Sequence, residues 1–261
     1  MVAAELPRGG RFISLRRDQE ADRRARRVYG GPSVVAHYRT AVELQPTERA
    51  LIERFVSASS RVIDIGIGAG RTTRFLADRD RYVGFDLVAD MVLAAKSDVG
   101  EDRLVVATAD HVPFANASFD VALFSFNGLG HLDDRTAVYR EVRRIVVDGG
   151  VFIFSLNNPR FVGTPTGRAP TVVARWLLGA PFRMLGAMLD RTWWRSQRIV
   201  RHPGGTGTGL DELEVNGVTR ARVRRELEAA GFSLTDVIAG PRPRTPWIAA
   251  PWFYYAARVG S

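Results

Sequence analysis

Three acidic residues and three closely spaced glycines carry most of the chemistry legible in this chain. Asp64 precedes Gly66, Gly68 and Gly70 in the stretch Arg61-Val62-Ile63-Asp64-Ile65-Gly66-Ile67-Gly68-Ala69-Gly70-Arg71. Asp86 closes the run Tyr82-Val83-Gly84-Phe85, and Asp110 sits in Ala109-Asp110-His111-Val112-Pro113-Phe114. Glycines at this spacing let backbone approach a ligand and accept conformations closed to other residues. An acid at the end of the following strand is placed to accept hydrogen bonds from ribose hydroxyls. A dinucleotide fingerprint would need G-x-G-x-x-G/A, but Arg71 stands where the third small residue belongs, and Asp64 would be unexplained. A phosphate-binding loop is excluded, because no Gly-Lys-Ser/Thr follows.

A second constellation is Ser125-Phe126-Asn127-Gly128-Leu129-Gly130-His131-Leu132, just beyond an apolar run. His131 is the candidate catalytic residue: with an imidazole pKa near ~6.5, it suits a general base toward a hydroxyl. The competing reading is a helix cap, or packing beside Asp133 and Asp134. His37 and His202 belong to no pattern. The chain has no cysteine, which excludes disulfides, thiolate metal sites and cysteine nucleophiles, and no metal-ligand cluster is evident.

The elements that must hold these groups alternate. Strands are expected at Val62–Ile65, Tyr82–Phe85, Leu104–Ala107, Phe119–Phe126 and Val151–Leu156. Helices are expected at 71–77, through Met91, Leu93 and Ala94, and over 135–147 until Gly149-Gly150 stops the chain. Near-continuous apolar strands between helices argue for a parallel sheet covered on both faces. Beyond Asn157-Asn158-Pro159 the alternation lapses over 159–217. A helix over 219–230 then leads to a sixth strand, Phe232–Ile238, and a seventh, Trp252–Ala257. No helix separates these two, so they form a hairpin and the seventh is antiparallel.

Among 261 residues, hydrophobic residues make up 46%, enough for a sizeable core, and the net charge is +9. Lys96 is the sole lysine and the arginines are spread along the chain, which argues against a dedicated nucleic-acid role. Residues 1–34 form an arginine-rich N-terminal segment, read as a solvated helix or arm, or else as an anion-binding arm. They lack the apolar core of a signal peptide, and no apolar run reaches membrane-spanning length, so a cytoplasmic location is expected. Within 159–217, the segment 172–194 combines Trp176, Phe182, Leu185, Met188, Leu189, Trp193 and Trp194 with arginines. It reads as a helical cap, as a lid over an apolar pocket, or as a surface making peripheral membrane contact.

Taken together, these motifs resemble the class I S-adenosylmethionine-dependent methyltransferases. The quoted pieces are Asp64 to Gly70, Val83-Gly84-Phe85-Asp86, Ala109 to Phe114, Phe119-Asp120-Val121-Ala122, and Arg143-Arg144-Ile145-Val146-Val147-Asp148-Gly149-Gly150, where Asp148 replaces the usual proline. The resemblance implies a Rossmann-like doubly wound α/β fold whose seven-stranded sheet has one antiparallel strand and the order 3-2-1-4-5-7-6. An N-terminal helical segment precedes it, and a helical insertion or lid (159–217) follows strand five within a methyltransferase domain spanning 35–261. It implies S-adenosylmethionine as cofactor, held by Asp64, Gly66, Gly68 and Gly70, by Asp86 with Leu87 and Met91, and by Asp110, His111 and Val112 at the adenine. Phe126 and Asn127 would complete the set, with Tyr38 as an aromatic contributed by an N-terminal helix. No Asn-Pro-Pro-Tyr motif follows strand four, which argues against methylation of a nucleobase amine. The leading expectation is transfer to a small-molecule, sugar or lipid-like acceptor, oxygen preferred over nitrogen. The rivals are an RNA or protein methyltransferase and a non-catalytic cofactor-binding partner subunit.

Overall fold

The computed structural model describes residues 19–78, 80–96, 103–132, 134–161, 197–201, 214–240, 242–247 and 250–260. Helices α1 (Gln19–Tyr29), α2 (Pro32–Thr40) and α3 (Pro46–Phe55) lead into strand β1 (Val62–Ile65). There follow α4 (Thr73–Leu76), β2 (Tyr82–Asp86), α5 (Ala89–Ala95), β3 (Leu104–Val106), β4 (Phe119–Phe124), a 3-10 turn (Gly128–His131), α6 (Thr136–Ile145) and β5 (Val146–Asn157). The remainder is β6 (Gln197–Arg201), β7 (Glu214–Val218), α7 (Arg220–Ala229), β8 (Phe232–Ala239) and β9 (Trp252–Val259).

β1 is central, pairing in parallel with β2 (Val62 with Tyr82) and with β4 (Val62 with Val121). The sheet runs β3-β2-β1-β4-β5 and continues through β9, antiparallel to β5, and β8, antiparallel to β9. This is the expected order, with the last strand in sequence as the antiparallel one. Alternation along the strands sends side chains to two apolar layers. Ile63, Ile65, Phe152 and Phe154 pack under α6 and α7, while Val62, Val121, Val151 and Ile153 pack against Leu51 and Ile52 of α3.

Three elements depart from expectation. The helix expected over 71–77 is the single turn α4, whose approach is occupied by Thr72 and Thr73; their hydroxyls bond Asp64 and Tyr82, and β-branched residues favour helix weakly. α6 ends at Ile145 rather than at the glycines, because Val146 already pairs with Phe119 of β4. Within 159–217 the described residues form a hairpin, β6 with β7, joined to β5 by the pair Asn157 and Gly217. A Cβ at Gly217 would lie 2.9 Å from the Pro159 Cα, so glycine is what lets the hairpin approach. The segment 172–194 lies outside the described residues.

Candidate functional site

The site begins where β1 ends. Gly66 and Gly68 turn the chain with φ of +68° and +53°, and the Gly66 amide donates to the Phe85 carbonyl at 2.8 Å. A Cβ on Gly66 would come within 2.9 Å of the Phe124 ring, so the turn needs glycine for conformation and for space. Asp64 lies behind this turn, buried. Its carboxylate accepts from the Thr72 hydroxyl at 2.5 Å and the Tyr82 hydroxyl at 3.0 Å. Burial pushes its pKa up to about 7 against those two hydrogen bonds. Asp64 therefore braces the turn and is not part of the cavity wall.

Asp86, at the end of β2, faces the turn. One carboxylate oxygen accepts from the Gly68 amide at 2.8 Å and the other from the Val88 amide at 2.9 Å. Burial raises its pKa, and these amides oppose the shift. A carboxylate offers about four acceptor positions, so Asp86 keeps hydrogen-bonding capacity toward the cavity it lines. The rest of that wall is mainly apolar or aromatic: Leu87, Met91, Ala107, Phe126 and Leu132 take part.

Arg71, the residue out of place for a dinucleotide loop, has a structural partner. Its guanidinium grips both oxygens of Glu48 on α3, one of them at 2.8 Å, and lies 4.8 Å over the Phe126 ring. Ser125 donates to the same carboxylate. Glu48 is fully buried. One ion pair thus ties the glycine turn, α3 and the loop after β4 together.

That loop is strained. Phe126 and Asn127 both have left-handed backbone, φ +58° and +64°, which costs roughly 1–3 kcal/mol per non-glycine residue. The Asn127 amide donates to Ser155 on β5 at 2.8 Å, and its side-chain oxygen is buried without a partner. The 3-10 turn that follows presents His131, whose Nε2 lies 2.8 Å from the hydroxyl of Tyr29 on α1. The Tyr29 ring also stands edge-on to the Tyr38 ring at 5.9 Å, and the Tyr38 ring edge-on to Phe126 at 6.4 Å. Burial raises the pKa of Tyr29 well above the phenol range and that of Tyr38 to about 12, so both are neutral donors.

Of the residues singled out from sequence, Tyr38, Gly66, Gly68, Asp86, Leu87, Met91, Phe126 and His131 surround one cavity. Asp64 and Gly70 belong to the turn behind it. Thr108 and Ala109 line it, while Asp110, His111 and Val112 follow just outside the lining. The Val112 amide is already engaged by Glu141 at 2.8 Å. Asn127 lies beneath the lining loop. Sequence reading missed Asp22, Ala25 and Tyr29 on α1, which also line the cavity. Their i, i+3, i+7 spacing marks one face of a helix, a signal hidden by the surrounding arginines. The buried pair of Glu48 and Arg71 was also missed. Among the described residues no group of His, Asp and Glu is arranged to hold a metal ion.

Comparison with known proteins agrees with this geometry. Residues 63–154 match the methyltransferase domain family model. The chain is 34% identical over 126 residues to a malonyl-[acyl-carrier protein] O-methyltransferase of Geobacter sulfurreducens, covering 44% of this chain and 46% of that protein. It is 31% identical over 115 residues to a ubiquinone/menaquinone biosynthesis C-methyltransferase of Geotalea daltonii, covering 40% of this chain and 48% of that protein. The matches thus span less than half the length of the curated relatives. The crystal structure of an S-adenosylmethionine-dependent methyltransferase from Mesorhizobium loti shares the fold, with a TM-score of 0.57 and 20% identity, over 81% of this chain and 97% of that one. The strand order, the glycine turn braced by Asp64 and the family match over the same strands lead to one assignment: residues 63–154 are a methyltransferase domain, carried on the fold of the S-adenosylmethionine-dependent methyltransferases.

Proposed function

We propose that the chain binds S-adenosylmethionine in the cleft at the carboxyl ends of β1, β2 and β4 and methylates a small lipid-like acceptor, at oxygen in preference to nitrogen. The observation that carries this is the Asp86 carboxylate, fixed by two amides and retaining acceptor capacity on the wall of a mainly apolar and aromatic cavity. When bound, the cofactor supplies a methyl group already activated by its sulfonium, so alignment is the main demand on the protein. Asp86 is suited to two ribose hydroxyls. The backbone at Gly66 and Gly68 is open to the amino-acid portion, and Leu87 and Met91 offer apolar walls to a purine. Asp110, just past Ala109, is the candidate for the exocyclic amine.

On the acceptor side, Tyr38, Phe126 and Leu132 favour an apolar or aromatic molecule. His131 is the group that takes the hydroxyl proton, with the Tyr29 phenol turning its ring. Relatives named as O- and C-methyltransferases support a small acceptor over a nucleic acid. No helix among the described residues is long and apolar enough to cross a membrane. The test is incubation with methyl-labelled S-adenosylmethionine and a cell extract. Label should enter the organic-soluble fraction, and His131→Ala should slow that transfer about 100-fold while S-adenosylhomocysteine affinity is kept. Label found only in RNA or protein would contradict the acceptor class.

A further inference from the structure

The carboxyl edge of the sheet, where the cleft opens, carries arginines without counter-ions. Elsewhere several arginines are paired: Arg54 with Asp236, Arg61 with Asp120, Arg144 with Glu141. Exposed Arg242 and Arg244, in the link from β8 to β9, and exposed Arg39, ending α2, have no ion pair among the described residues. The same two segments each expose one apolar side chain, Trp247 at 48% and Val42 at 53%.

The two segments are fastened to one edge. The Thr47 hydroxyl, at the start of α3, donates to the Ala239 carbonyl at the end of β8 at 2.9 Å. Asn158, just past β5, donates to the carbonyls of Trp247 and Ala250, both at 2.9 Å. The link 240–251 holds four prolines and no acid, and 39–45 holds one acid, Glu43. Prolines fix the backbone, so arginine and tryptophan are displayed with little left to order on binding.

We propose that this edge docks on anionic phospholipid, with Arg39, Arg242 and Arg244 at the phosphates and Trp247 and Val42 seated among the headgroups. Guanidinium matches phosphate oxygens in bidentate fashion, and tryptophan prefers the boundary between water and acyl chains. A single exposed tryptophan with an exposed aliphatic side chain on the other segment suits lipid better than nucleic acid, which is bound by several stacking aromatics along a groove. The consequence is orientation. The cleft mouth, lying on the same edge, faces the bilayer, and an apolar acceptor enters without crossing water.

The test needs neither cofactor nor acceptor, so its outcome is separate from that of the proposed methyl transfer. The full chain is sedimented with vesicles of phosphatidylglycerol and phosphatidylcholine in equal parts, with phosphatidylcholine alone, and with a fluorescent single-stranded RNA. Wild-type protein should follow the anionic vesicles at low salt, far less at high salt, and not the neutral ones. The variant Arg242→Glu/Arg244→Glu/Trp247→Ala should lose at least ~10-fold in vesicle affinity, with an unchanged circular dichroism spectrum; Trp247→Ala alone should lose part. Absence of anionic-vesicle binding, or binding that the triple variant retains, would overturn the proposal. So would RNA binding abolished by the same variant without any vesicle binding.

Discussion

On the β1–β2 side of the cleft, the contacts that shape the site join residues near one another in sequence. Asp64 meets Thr72 eight positions on and Tyr82 eighteen on, and Gly68 meets Asp86 across eighteen. On the β4–β5 side the partners are remote. His131 meets Tyr29 across 102 positions, Ser125 meets Glu48 across 77, and Asn127 meets Ser155 across 28. The first side is a backbone device set by glycine and a strand-end acid. The second is an assembly of side chains from α1, α3, β4 and β5 that exists only once the chain has folded.

The largest effect should come from breaking the link between the two sides. Glu48→Ala leaves the Arg71 guanidinium buried without its counter-charge and should cost about 3–5 kcal/mol in urea unfolding. A loss under about 1 kcal/mol would mean that the two sides hold independently. Next is Gly128→Ala, where the new Cβ would overlap the Phe124 ring, 2.0 Å from its nearest carbon. A loss of about 1–3 kcal/mol is expected, with partial recovery when Phe124→Leu is added.

The Asp64 brace gives a pH signature. Its folded pKa, about 7, lies above the usual carboxylate value, so its contribution to stability is full in acid and falls as pH rises from about 4 to 7. Asp64→Asn keeps an acceptor for Thr72 or Tyr82 and removes the charge. Melting temperatures of variant and wild type should therefore diverge in the variant's favour across that window and run parallel above it. Parallel behaviour throughout would mean that Asp64 ionises normally. The smallest effect belongs to the cross-cleft hydrogen bond. Tyr29→Phe and His131→Ala should each cost about 1 kcal/mol, and the double variant less than their sum, by about 0.5–1 kcal/mol. Strict additivity would dissolve the pair.

The comparison also explains what the sequence disclosed. Gly66, Gly68 and Asp86 are legible because backbone conformation and strand ends leave local marks: left-handed turns demand glycine, and a strand-end acid follows an apolar run. The parallel sheet and its final antiparallel hairpin were legible from alternation, whereas the strand order came with the family resemblance. Tyr29 was not, since nothing within α1 distinguishes a cavity-lining tyrosine from a packed one, and its partner lies far along the chain. Glu48 looked like an ordinary acid in a first helical turn, and its burial depends on Arg71 and Ser125 arriving from elsewhere. The β6–β7 hairpin escaped notice because Glu214 to Val218 is too short to show a period. Its pairing rests on Gly217 fitting against Pro159.

Cofactor binding at the donor side can be read directly by calorimetry. Wild-type protein, titrated with S-adenosylhomocysteine and separately with NAD, should bind the former and not the latter. Asp86→Ala should weaken S-adenosylhomocysteine binding about 100-fold, by removing two charge-assisted hydrogen bonds, with an unchanged circular dichroism spectrum at the titration temperature and an unfolding midpoint lowered by the freed Gly68 and Val88 amides. Equal affinity in wild type and Asp86→Ala, or tight binding of NAD, would contradict the account.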